Sequence, residues 1–124
     1  LGNHTIQIDV PNGMGGSDRG PTPPELFVAS LGSCIAAFAA NYCIQAGISP
    51  EGMSVDFSYD KADDPTRLIN LKATINLACD DYQKREQAIL RVATHCPVHE
   101  TLSSFEGIEL ELEKQHEREL VLAS

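Results

Sequence analysis

Four segments of the chain alternate apolar and polar residues with a period of two. Ile6, Ile8 and Val10 are separated by Gln7 and Asp9. Met53, Val55, Phe57 and Tyr59 are separated by Ser54, Asp56 and Ser58. Ile69, Leu71, Ala73, Ile75 and Leu77 follow the same rule, as do Ile108, Leu110 and Leu112 between glutamates. Successive strand side chains point to opposite faces, so each segment predicts a strand with one wet face, the habit of antiparallel sheets. The second and third are joined by 61–67, where Asp63-Asp64-Pro65 is turn chemistry, and should form a hairpin.

Between the strands the period changes to that of helices. A first helix is predicted from about Pro24 to Ala46, stopped by Gly47. A second should run from near Asp81 to His95, with Ile89, Val92, Ala93 and then Cys96 as its apolar stripe and Lys84, Arg85 and Arg91 on its wet side. A short third helix is expected from Pro97 to Ser103, and the tail from Gln115 carries no decisive period. The predicted order is β-(loop)-α-β-β-α-α-β, an α+β plan in a single domain spanning 1–124, with the N-terminus trimmed because residue 1 is Leu rather than Met.

The first helix is apolar on every face, with Phe27, Leu31, Ile35, Phe38 and Tyr42 spread around it. Ser30, Gly32, Ser33 and Asn41 interrupt it, and it is marginal in length for a bilayer span, so a helix buried in protein is expected. A chain of 124 residues has few places to hide such a helix. Packing against its twin across a two-fold axis would cover it, which predicts a homodimer.

Charge and composition narrow the function. A net charge of −9 argues against a nucleic-acid partner or an anionic membrane surface, because both are bound mainly through Lys and Arg. No basic region followed by an apolar run marks a secretory signal, so a reducing, cytoplasmic setting is expected. Four cysteines there point to catalysis, redox sensing or packing rather than to a disulfide framework.

Two of the cysteines stand out. Cys34 lies mid-helix in Leu31-Gly32-Ser33-Cys34, where it reads either as a small buried hydrophobe or as a reactive thiol needing a cation from elsewhere. Arg19, in the glycine-rich loop Pro11–Thr22, is a candidate for that cation. Cys96 precedes Pro97, so its sulfur can sit at a helix N-terminus, with His95 and His99 close by. It reads equally as a core residue ending the second helix's stripe. His95, Cys96 and His99, with Cys79, match no strong metal spacing. Cys43 and Cys79 read as structural. Thr22-Pro23-Pro24-Glu25 fits a capping box with Glu25 at the third helical position, so by position alone Glu25 is a cap before it is a catalyst.

Gly20-Pro21-Thr22-Pro23-Pro24-Glu25-Leu26 followed by Leu31-Gly32-Ser33-Cys34 resembles the first signature of the OsmC/Ohr family, and Cys96-Pro97-Val98-His99-Glu100-Thr101-Leu102 resembles the second. The resemblance covers nearly the whole chain. It implies antiparallel sheets around long buried helices in an intertwined homodimer. It also implies a thiol peroxidase acting on organic hydroperoxides in oxidative-stress defence. Cys34 would be the peroxidatic thiolate, Cys96 the resolving thiol, and Arg19 and Glu25 their catalytic partners. A lipoyl-type or other dithiol would be the reductant, with no metal or organic cofactor. One departure is specific: the family's catalytic Glu stands one position further from the Cys, where this chain has Pro24. One residue is about 100° of helical rotation, so Glu25 should point elsewhere. The alternative is a non-catalytic OsmC-like stress or small-ligand-binding protein that keeps the fold without turning over.

Overall fold

The computed structural model describes residues 2–78 and 84–113. The expected start of the second helix near Asp81, Cys79 and the tail from 114 onward lie outside the described residues.

The first helix, α1, spans Pro23–Gln45. Thr22 caps it: its hydroxyl accepts the Glu25 N–H at 3.3 Å, and Glu25 Oε1 accepts the Thr22 N–H at 2.9 Å. The capping box read from the sequence is therefore formed, and the helix begins at Pro23 rather than Pro24. It ends at Ala46, followed by Gly47 at φ +76°, a left-handed position that costs glycine little.

The two central alternating segments form the hairpin expected of them. β1 (Ser54–Ala62) pairs antiparallel with β2 (Arg67–Asn76), with Val55 opposite Ile75 and Phe57 opposite Ala73. The register slips between Ser58 and Asp60, and Asn70 on the partner strand takes φ +54°, a backbone region that Asn tolerates better than most residues. Beyond the slip Leu71 is 41% exposed, yet it shares the wall of one apolar cavity with Ala73, on the face its alternation predicts.

α2 (Glu86–Thr94) and α3 (Pro97–Ser103) follow. The hairpin, α2 and α3 all pack on α1. Two adjoining cores result. Leu31, Ile35, Ala93 and Cys96 form one, with Val55, Phe57, Ala73 and Ile75 packed against it. Ala39, Cys43, Ile48 and Ile89 form the other, which gives Cys43 the structural place expected of it.

Two expected strands are absent among the described residues. Residues 6–10 and 108–112 run without a ladder, and Ile108, Leu110 and Leu112 are 76%, 88% and 95% exposed. Their alternation is intact. Neither joins a ladder, and 6–10 instead bonds the glycine-rich loop, the Asp9 N–H donating to Pro21 and the Asp18 N–H to Val10 at 3.1 Å each.

The expectation of an all-round buried helix is likewise only half met within one chain. α1 buries Val28, Leu31, Ile35, Ala39 and Cys43 along one stripe, while Phe38 is 39% and Ile44 64% exposed. By length and composition α1 could cross a membrane. Its packing against β1, α2 and α3 makes it the central helix of this fold.

Candidate thiol site

The loop entering α1 is built around Asp9. Its carboxylate accepts the N–H groups of Val10 at 2.8 Å, Ser17 at 3.1 Å and Arg19 at 3.2 Å, while its own N–H donates to Pro21 at 3.1 Å. The chain crosses itself so closely that a Cβ on Gly16 or Gly20 would collide with the carbonyl of Val10 or Gln7. Glycine is required there by space rather than by backbone angle. The Val10 N–H first, then those of Arg19 and Ser17, hold the Asp9 carboxyl below its ordinary range. The stabilisation this gives is present above the unfolded-state value, about 4, and is lost as pH falls through the depressed native value. Asp9→Asn should therefore speed amide exchange at Ser17 and Arg19 at neutral pH, and its stability deficit should shrink as the pH drops below about 4. The sequence reading missed Asp9. The signal was an Asp two residues before Pro11-Asn12-Gly13, where a short carboxylate readily binds nearby main chain.

Arg19 leaves this loop with its main chain fixed and its side chain exposed. Among the described residues no ion pair joins it to Glu25. The Glu25 carboxylate is engaged at the cap, and the Thr22 N–H, then the Thr22 hydroxyl, hold its pKa below the ordinary value. Glu25 also lines an open cavity of about 510 Å³ with Val28, Gly32, Ser33, Val55 and Phe57. Two substitutions separate capping from catalysis. Thr22→Ala should lower stability by about 0.5–2 kcal/mol in a denaturant titration. Glu25→Gln keeps a capping side chain and should change neither stability nor turnover. A loss of turnover at full stability would place Glu25 in the chemistry.

The structure does bring the two motif cysteines together. Cys34, on the flank of α1's buried stripe, is half-buried and packs against the cluster containing Cys96. Both are unbridged thiols in one packed cluster. Cys96 is the N-cap of α3 at φ −70°, ψ 148°, and its Sγ accepts the His99 N–H at 3.4 Å. The helix-end position expected from Pro97 is thus observed, but it does not decide the acidity. Cys96 is fully buried, and desolvation pushes its thiol above the ordinary range, outweighing the lowering by the His99 N–H; the neighbouring Cys34 pushes in the same upward direction.

The nearby histidines serve other partners. His95 Nδ1 lies 3.0 Å from Glu100 Oε1, and His99 Nδ1 lies 3.3 Å from Ser103 Oγ. Among the described residues they do not converge with Cys96 on a common point. An apolar cavity of about 360 Å³ adjoins the cluster that holds the thiols; it is walled by Leu31, Ile35, Phe57, Leu90 and Leu102, with Thr94, His99 and Ser103 as its polar groups, and neither thiol is in its lining.

Comparison with known proteins agrees with this arrangement. The family model for OsmC-like protein matches residues 15–113. No curated protein matches the chain. Among solved structures, a Psychrobacter arcticus 273-4 protein named for osmotic stress induction and detoxification response superposes with a TM-score of 0.72. It is 23% identical over 82% of this chain and 74% of its own. An organic hydroperoxide resistance protein OsmC from Legionella pneumophila, also named a regulator of sulfide bond formation, gives 0.59 at 17% identity over 83% of this chain and 77% of its own. An OsmC like protein from Mycoplasma pneumoniae gives 0.62 at 19% identity over 90% of this chain and 81% of its own. A long helix carrying one thiol, a second thiol capping a short helix against it, and a family match across most of the sequence point one way: the chain belongs to the OsmC-like protein family.

Proposed function

We propose that the protein is a thiol-dependent peroxidase that reduces organic hydroperoxides, working as a homodimer in oxidative-stress defence. The observation that carries this is the packing of a half-buried Cys34 with a fully buried Cys96, on separate elements, in a cluster whose Leu31, Ile35 and Ala93 also wall an apolar cavity. The Cys34 thiolate attacks the distal peroxide oxygen. The O–O bond breaks, the alkoxide leaves and takes a proton to become the alcohol, and Cys34 is left as a sulfenic acid. Cys96 then attacks that sulfur, forming the S–S bond and releasing water. A dithiol reductant, lipoyl-type in the family, restores both thiols by exchange.

Burial suits the two roles. The exposed flank of Cys34 can meet a peroxide, and the raised pKa of Cys96 keeps it protonated until its partner is oxidised. The cavity offers apolar contact to the organic group. The dimer is supported by the second, uncovered face of α1 and by the unpaired segments 6–10 and 108–112. The reduced full chain mixed with stoichiometric cumene hydroperoxide should yield cumyl alcohol and lose a pair of thiols per chain.

A second reading, a small-ligand-binding protein that does not turn over, is favoured by one observation: Glu25 is spent on the cap rather than held beside a guanidinium. Uptake of an apolar probe by the cavity without peroxide consumption would select it.

A further inference from the structure

Cys96 has a second task in the reduced chain. Its sulfur is the side-chain cap of α3, accepting the His99 N–H at 3.4 Å. α3 is only seven residues long and buries none of them fully. A helix that short has little order of its own and depends on its ends and its packing. It supplies His99, Leu102 and Ser103 to the wall of the apolar cavity.

We infer that closing the Cys34–Cys96 bridge uncaps α3, so that the redox state of the pair sets the order of the helix walling the apolar cavity. This rests on the disulfide chemistry proposed above. The first reason is geometric. A disulfide holds its sulfurs about 2.05 Å apart; Cys34 is held inside the 23-residue α1 while Cys96 stands at the end of the seven-residue α3, so closure draws Sγ of Cys96 off its place over the His99 N–H. The second is directional. A disulfide fixes the dihedral about its S–S bond at about 90°, so the sulfur of Cys96 is no longer free to turn its lone pairs toward the His99 N–H. The wall is firm while the thiols await peroxide, and it loosens while the disulfide awaits reductant.

The test is residue-resolved hydrogen exchange on the full chain, reduced and after oxidation with diamide. The diamide N=N bond takes up the two electrons and two protons that leave the thiols and becomes a hydrazine. Non-reducing peptide mapping verifies the bridge. The His99 amide should exchange about threefold to thirtyfold faster once the bridge forms, the size of a lost side-chain cap, while amides of α2 around Ile89 keep their rate. Cys96→Ala should show the fast rate without oxidant. Cys96→Ser, which retains a capping oxygen, should hold the slow one. A formed bridge with unchanged or slower His99 exchange, or alanine and serine variants that exchange alike, overturns the uncapping and leaves the thiol chemistry standing. Failure of diamide to form the bridge overturns both.

Discussion

Cys34→Ser should abolish peroxide consumption, lowering its rate by more than about a thousandfold, because a serine hydroxyl in the same place is almost never ionised near neutral pH and is a far weaker nucleophile than a thiolate. Cys96→Ser should behave differently. It keeps the first step, so a burst of alcohol stoichiometric with protein should appear, and the reaction should then stall at the Cys34 sulfenic acid, which dimedone would trap. The two variants thus separate attack from resolution. Stopped-flow consumption of cumene hydroperoxide, followed by intact mass, reads both. The structure favours this order of roles because Cys34 is the accessible partner and Cys96 is buried with its pKa raised by desolvation. If the variants stalled the other way round, the roles would be exchanged.

The dimer carries the other large effect. Phe38 is 39% exposed on the flank of α1's core stripe, and Phe27, 38% exposed and about three turns earlier, lies on the same flank. Burying a large apolar side chain is worth about 1.5–3 kcal/mol, and a two-fold interface contains the residue twice. Only the 39% of Phe38 that one chain leaves exposed remains to be covered, so Phe38→Ala should weaken the dimer by about 1–2.5 kcal/mol, a factor of roughly five to seventy in the dissociation constant. Sedimentation velocity across micromolar concentrations would show a single dimer species for the native chain and a dissociating or aggregating one for the variant. A native chain that sediments as a stable folded monomer would remove the two-fold packing and leave the bare face of α1 unexplained.

The parts of the fold that the sequence foretold are those decided by local period and by end chemistry. The hairpin of β1 and β2 announced itself through its alternation, and α1 through its capping box and Gly47. The strands over 6–10 and 108–112 were equally clear as patterns, yet a pattern states only which face wants burial. Pairing needs an edge that lies alongside, and among the described residues neither segment pairs with the free edge of β1 or of β2. The slip near Ser58 was hidden because a bulge depends on how two strands meet, not on either alone.

The site divides in the same way. The cysteine motifs fixed which thiols to watch, and folding brings them into one cluster. The acidity of Cys96 could not be read from its neighbours in sequence. The cap geometry favours the thiolate, and burial, a property of the packed chain, overrides it. Glu25 went the other way. Its first-turn position named its cap, and the structure uses it there. Arg19 rests on a loop whose organiser, Asp9, lies ten residues earlier in the chain.

The most direct test of the central claim is to oxidise the reduced protein with stoichiometric organic hydroperoxide, block the remaining thiols, and map the peptides without reduction. The account predicts one dominant bridge, Cys34 to Cys96, with Cys43 and Cys79 recovered as blocked thiols. A dominant bridge through Cys43 or Cys79, or full recovery of both Cys34 and Cys96 as thiols after peroxide treatment, would contradict it.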